Sequence, residues 1–264
     1  MQDLTPARAR VALRLVALGY LAAILLVPVG MVFWRTFEHG LAPVWASLTT
    51  PDAKHAFWLT LSIAAIAVPA NTIFGVACAI AIVRHRFRGA GLVNAIVDLP
   101  LALSPVVVGL ALLLLYGRGG WVDLPFQVVF AFPGMVLATI FVSLPFVVRE
   151  VVPILREIGD EQEQAAATLG ASSWAAFRRV TLPAIRWGVA YGIVLTTARA
   201  LGEFGAVSVV SGRVVGQTET LTIHVEQAFQ NFDVAGAYAA SALLALIAVL
   251  TLVLMSLFEP KEHA

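Results

Sequence analysis

Arg199 and Glu203 stand four residues apart in the run Trp187–Ser211, which holds no other charge. That spacing puts them on one face of a helix, where they can pair along its axis. In an apolar solvent such charges face a packed interior or water, because lipid penalises them heavily. The pair therefore either stabilises packing or lines a pathway. Asp98 and Ser104 raise the same choice in the run Leu99–Gly117: Asp98 marks its edge, and Ser104 precedes Pro105, which can unwind a helix. Other chemistry is scarce. The five histidines (His39, His55, His85, His224 and His263) show no metal-ligand spacing, and the single Cys78 forms no disulfide framework. No metal site is expected. A phosphate-cradling G-x-x-x-x-G-K-[ST] loop needs a Lys after Gly, and Lys54 and Lys261 follow Ala and Pro. One further feature stands out: ten charges fall between Arg149 and Arg186, namely Arg149, Glu150, Arg156, Glu157, Asp160, Glu161, Glu163, Arg178, Arg179 and Arg186.

The elements that must position these groups follow from composition. Hydrophobic residues make up 60% of the 264 and charged residues 12%, with a mean hydropathy of +0.89. Soluble domains average about 45–50% and about 25%. The solvent is lipid, and the net charge of +1 gives no reason to expect nucleic acid. Runs free of Asp, Glu, Lys and Arg cover Leu15–Trp34, Phe57–Val83, Leu99–Gly117, Leu124–Val148 and Val234–Phe258; Trp187–Ser211 is the sixth span. Each is long enough to cross a hydrocarbon core of about 30 Å, and a helix satisfies its own backbone there. Pro28, Pro69 and Pro145 are expected to kink their spans. The spacing of Gly188 and Gly192 permits close helix approach, although a glycine-rich chain produces that pattern by chance as well. The expected fold is all-α, a polytopic membrane protein of six transmembrane helices.

Basic residues set the orientation. With the N-terminus inside, the inner segments hold Arg8, Arg10, Arg14, Arg84, Arg86, Arg88, Arg149, Arg156, Arg178, Arg179, Arg186 and Lys261. The outer segments hold only Arg35, Lys54, Arg118 and Arg213. Both termini and the charged stretch are therefore expected in the cytoplasm. The first span is too long for a cleavable signal peptide and lacks an A-x-A site.

Within the charged stretch, "DEQEQAAATLG" begins with acids and ends at Gly170, the punctuation of a helix. Ser172 or Ser173 can cap a second short helix, "WAAFRRV", with Arg178 and Arg179 in its last turn and Pro183 beyond. Two short helices joined at a glycine bend form a knob, with Trp174 and Phe177 on one face. On periodicity alone, an amphipathic hairpin resting on lipid headgroups explains the stretch equally well.

The segment "EQAAATLGASSWAAFRRVTLPAI" (163–185) resembles the EAA loop of ATP-binding-cassette importer permeases. Ala165, Ala166 and Gly170 match, and Val180, Leu182 and Pro183 close the pattern at the family's distance; Gln164 takes the usual Glu place, with Glu163 one residue earlier. In that family the loop is a coupling helix seated in a groove of a separate ATPase. The resemblance thus implies the type I importer permease fold (MetI-like), no ATPase site in this chain, and ATP-Mg held by the partner.

A narrower likeness runs through "DLPLALSPVVVGLALLLLYG" (98–117), "SLPFVVREVVPIL" (143–155) and "ARALGEFGAVSVVSGRVVGQTETLTIHVEQAF" (198–229). These look like the W-type permease subunits of bacterial sulfate/thiosulfate importers; molybdate and tungstate permeases share part of the pattern. The resemblance implies a T-type permease partner, two ATP-binding subunits and an external sulfate-binding protein, in a plasma (inner) membrane. It implies a transport domain over 57–258, with the coupling loop at 151–185, preceded by 1–56 and followed by a tail at 259–264. The outer segments 35–56, 118–123 and 212–233 would receive the binding protein, and Arg199 would be a positive waypoint for a dianion that Glu203 keeps from binding too tightly. A secondary transporter would leave the loop unexplained and often shows an inverted repeat, which is not evident here. A membrane hydrolase would need a nucleophile and base, and no His lies inside an expected span.

Overall fold

A computed structural model describes residues 7–85, 88–122 and 124–258. The tails 1–6 and 259–264, with Lys261 and His263, lie outside the described residues, as do Arg86 and Asp123. The described chain is mostly helical: α1 (Ala7–Leu21), α2 (Val27–Phe37), α3 (Leu41–Leu48), α4 (Pro51–Arg84), α5 (Ala90–Ala102), α6 (Pro105–Tyr116), α7 (Phe132–Ser143), α8 (Pro145–Glu157), α9 (Glu161–Thr168), α10 (Ser173–Ala176), α11 (Leu182–Leu201), α12 (Gly205–Val210), α13 (Leu221–Gln230) and α14 (Val234–Phe258). Five helical stretches are long and apolar enough to cross a membrane, and the pair α5–α6 makes a sixth.

Three expected spans need correction. The third is not one straight helix from Leu99 to Gly117: α5 and α6 meet at 110°. Leu103 and Ser104 are extended (ψ 142° and 134°), and Pro105 disfavours the helical conformation at Ser104, the residue before it. Asp98 consequently lies within α5 rather than at the mouth of a span. The fourth starts at Phe132, not Leu124, after an irregular segment in which Phe130 takes a positive φ and donates its N–H to the Val210 carbonyl at 2.6 Å. It then continues to Glu157, so Arg149, Glu150 and Arg156 ride on a membrane helix instead of a loop. The sixth runs from Ser173 to Leu201 and breaks at Gly202–Phe204 before α12. No separate second short helix ends before Pro183. A π-helical turn at Phe177–Thr181 carries α10 straight into α11, and Pro183 sits in the first turn of α11, where its missing N–H costs nothing.

The prolines also behave differently from one another. Pro28 follows a π-helical turn at Ala22–Leu26, and Pro145 begins α8 just after the join at Leu144. Pro69 lies inside α4, which runs unbroken for 34 residues.

The core is built where α4, α8 and α11 pack together, and glycine makes that possible. A Cβ at Gly75 or at Gly192 would stand 2.7 Å and 2.9 Å from Val147 of α8, and one at Gly188 would strike Ile154. The Gly188–Gly192 spacing is thus used, seating α11 on α8. Around these contacts Val147, Val148, Val151, Leu155 and Ile185 are fully buried. A second cluster, with Ile63, Met135, Val207, Val210 and Ile223, fills the opposite half of the bundle. Several threonines in the helices are satisfied locally: Thr60, Thr139 and Thr72 return their hydroxyls to carbonyls one turn back. Asn71 donates to the Ile140 carbonyl and to Ser143, joining α4 to α7. The window of highest hydropathy in α1–α2 buries nothing against its own chain, although Thr36 ties α2 to the Tyr238 carbonyl of α14 at 3.0 Å.

Candidate functional site: a glycine-capped knob and two broken helices

The first candidate site is the 158–181 knob at the end of the bundle where α4 and α8 finish. Its helix α9 begins with Glu161 and Glu163 at the positive end of the helix dipole. It ends in a doubly hydrogen-bonded cap: Ala171 N–H to the Ala166 carbonyl and Gly170 N–H to the Ala167 carbonyl, both 3.0 Å. That motif needs a left-handed residue, and Gly170 supplies φ +83°. Ser172 then accepts the Ala175 N–H and caps α10. The cap throws Leu169 outward, 89% exposed, and Trp174 is 67% exposed. The Trp174 and Phe177 rings lie 5.4 Å apart. Gln164 and Ala165 are also exposed, and Ala166 is half-buried.

Glu163 points the other way. Its carboxylate receives Arg84 Nε at 2.9 Å and Thr181 Oγ1 at 2.7 Å. Val180 is half-buried in the π-helical turn, while Leu182 and Pro183 are exposed at the start of α11. The loop residues therefore divide: Gln164, Ala165 and Gly170 shape the free face, Glu163 faces inward, and Val180, Leu182 and Pro183 launch the span. Arg84 and Thr181 were not legible as partners, because they lie 79 and 18 residues from Glu163.

The second candidate site lies where the two broken spans touch. A Cβ at Gly205 would stand 2.8 Å from Pro105, and one at Gly109 would stand 2.8 Å from the Ala206 carbonyl. The break after α11 is thereby pressed against the break between α5 and α6. Irregular backbone at membrane depth is tolerated only beside protein or water. Arg199 Nη1 pairs with Glu203 Oε2 at 2.5 Å. Their surroundings differ sharply: the Glu203 side chain is 2% exposed and that of Arg199 29%. Glu203 Oε1 accepts the Ala206 N–H at 2.7 Å and so caps α12, and its carbonyl accepts Thr222 Oγ1. The gap between Glu203, Thr60, Thr139 and Thr220 is only about 10 Å³, about the room one water needs. Of the two charges, Arg199 is the partly exposed one and Glu203 the sealed one. Ser104 is exposed at the α5–α6 break and caps nothing.

Asp98 is not brought to this pair. It binds Arg149 of α8 through a fork, with Nε to Oδ1 at 2.6 Å, and both side chains stay partly exposed. Among the described residues, no cluster of His, Cys, Asp and Glu could hold a metal.

At the far end of the bundle, two pairs brace the segment after α12. Arg213 binds Glu226 at 3.0 Å and the Ser208 carbonyl, and its guanidinium lies 5.9 Å from the centre of the Phe204 ring. His224 Nδ1 meets the buried Glu219 at 3.0 Å. That hydrogen bond, with the nearby charges of Glu219, Asp52 and Asp233, raises the His224 pKa above its ordinary value, against a smaller opposing push from burial.

Residues 71–263 match the family of binding-protein-dependent transport system inner membrane components. The chain belongs to that family. Among relatives of the permease, the "Sulfate transport system permease protein CysW" of Escherichia coli is 50% identical over 252 residues, covering 93% of this chain and 87% of that protein. The "Sulfate transport system permease protein CysT" of the same organism is 36% identical over 244 residues, covering 90% and 87%. A chain of the bacterial alginate ABC transporter, solved in complex with an alginate pentasaccharide-bound periplasmic protein, superposes with a TM-score of 0.76 at 17% identity, covering 96% of this chain and 94% of that one. The permease therefore has the ABC importer permease fold in a multi-pass inner-membrane setting.

Proposed function

We propose that the permease carries sulfate or thiosulfate into the cytoplasm as one half of an ATP-binding-cassette importer. The observation that carries this reading is the 50% identity to a sulfate permease along nearly the whole chain. The knob supports the drive mechanism: a rigid, glycine-capped helix presents Leu169 and Trp174 outside the bundle, a surface suited to a soluble partner. That partner is the ATPase subunit, two copies per importer, and it holds the ATP-Mg; this chain has no ATPase site of its own. The second permease is a T-type chain. The transport domain spans 57–258, and the termini and the knob face the cytoplasm.

In this scheme ATP closes the ATPase dimer, the knob moves with it, and the helices reorient between inward-open and outward-open forms. Arg199 at the meeting of the two breaks offers the dianion a positive station. Glu203 partly neutralises that charge from within, so the ion is held weakly enough to leave. Asp98–Arg149 and Ser104 line the same route. The segments 35–56, 118–123 and 212–233, with Trp121 at 90% and Phe232 at 89% exposure, receive the external sulfate-binding protein.

The test is the ATPase activity of the four-subunit complex in nanodiscs. Sulfate-loaded binding protein should stimulate hydrolysis. Stimulation only when a molybdate-binding protein is supplied would reassign the substrate, and no stimulation by either would overturn the importer reading.

A further inference from the structure

Arg84 is the last residue of α4, and its guanidinium is occupied on several sides. Nε and Nη2 donate to the two oxygens of Glu163 at 2.9 and 3.3 Å, Nη1 donates to the Leu155 carbonyl at 2.9 Å, and Nη2 donates to the Gly159 carbonyl at 2.6 Å. Arginine has five N–H donors in a fixed fork, so four contacts nearly exhaust it and fix its orientation. The Leu155 carbonyl belongs to the last turn of α8, where a helix leaves its acceptors without internal partners. Glu163 accepts the Thr181 hydroxyl as well, and Thr181 is buried at the entry to α11. One half-sealed ion pair, with side chains 13% and 24% exposed, therefore joins α9 to the ends of α4, α8 and α11. Those three helices are the ones that pack in the core, where Gly75 of α4 and Gly188 and Gly192 of α11 sit against Val147 and Ile154 of α8.

The chain between α8 and α9 is only Ile158–Asp160, and Gly159 within it has φ +65°. A glycine in that conformation is a natural swivel. A displacement of α9 would be absorbed there unless something bridged it. Arg84 bridges it: the same guanidinium grips the Gly159 carbonyl, the end of α8 and the α9 carboxylate.

We propose that Arg84 is a positioning residue that, through Glu163, makes the knob and the ends of α4, α8 and α11 move as one body. This rests on the coupling role given to the knob above. The pair is the link that converts a push on α9 into reorientation of the spans. The free face of the knob, with Leu169 and Trp174, takes no part in it, so docking and transmission are separable.

The experiment reconstitutes the complete importer in proteoliposomes and measures sulfate taken up and ATP hydrolysed in the same sample. Glu163→Gln keeps the size and the acceptor for Thr181 but removes the charge that holds the fork. It should co-purify with the ATPase in normal stoichiometry and hydrolyse ATP, while sulfate moved per ATP falls about tenfold, the usual scale of a coupling free energy. A merely structural staple would lower the yield of complex and leave that ratio unchanged, and an unchanged ratio overturns the proposal. Should Glu163→Gln fail to assemble, Thr181→Val removes one hydrogen bond and no charge, and the ratio decides in the same way. A wild-type complex whose hydrolysis does not respond to the binding protein would instead overturn the coupling role of the knob itself.

Discussion

At Arg199 and Glu203 the two carboxylate oxygens have separate duties: Oε2 pairs with the arginine and Oε1 caps α12. Exchanging the two charges would therefore destroy a helix cap as well as move a waypoint. The cleaner variant is the double Arg199→Gln, Glu203→Gln, which removes both charges while an amide oxygen still accepts the Ala206 N–H. Replacing both partners of a buried pair is tolerated far better than removing one. The variant should assemble, hydrolyse ATP and lose most sulfate uptake; uptake near wild type would make the pair structural. His224 allows a pH prediction. Its pKa is raised by the Glu219 hydrogen bond, so the pair stabilises the folded segment fully below the ordinary histidine value of 6.5. That contribution is lost as pH rises through the raised value. Thermal unfolding of the purified complex should show a stability decline on that alkaline side, and His224→Gln should flatten it. An identical pH profile in the variant would show that another group is responsible.

Elements were legible in proportion to how local their causes are. The α9 cap follows from "AAATLG" alone, and Gly170→Val tests it: a β-branched side chain at φ +83° costs about 1–2 kcal/mol or more. The permease should still reach the membrane but lose its ATPase on detergent extraction; uptake at normal rates with the ATPase bound would refute the assignment. The break at Ser104–Pro105 was legible for the same reason, since proline acts on its neighbour. The break at Gly202–Phe204 was not. It holds no proline, and it is fixed by Glu203 capping α12 and by contact with Pro105, some hundred residues away. Arg84 with Glu163 was illegible likewise, since each alone reads as an ordinary helix-end charge. Glycine packing separates the two kinds of position. Gly192→Val should destabilise by about 1–3 kcal/mol through overpacking against Val147, whereas Gly30→Ala, with no neighbouring atom within 4 Å, should leave thermal stability nearly unchanged. Equal melting shifts for the two would contradict the packing.

The whole molecule is a helical bundle with two differently built ends. One carries the knob and the Arg84 fork; the other carries exposed Trp121 and Phe232 and the braces of Arg213 and His224. Six spans and their approximate positions followed from hydropathy, because lipid imposes long uncharged runs. Where each helix starts, bends and meets another did not, because glycine contacts and carboxylate caps decide that. Orientation can be read with an impermeant maleimide on whole spheroplasts, in a background lacking Cys78. Phe232→Cys should label and Leu169→Cys should not; the reverse would invert the topology and remove the knob from the ATPase. The most direct test of the account remains vectorial transport. Proteoliposomes holding both permeases and the ATPase, with sulfate-loaded binding protein outside and ATP inside, should accumulate radiolabelled sulfate against its gradient. They should stop when a non-hydrolysable analogue replaces ATP. Sulfate accumulation that ignores ATP and follows an imposed ion gradient would contradict the account.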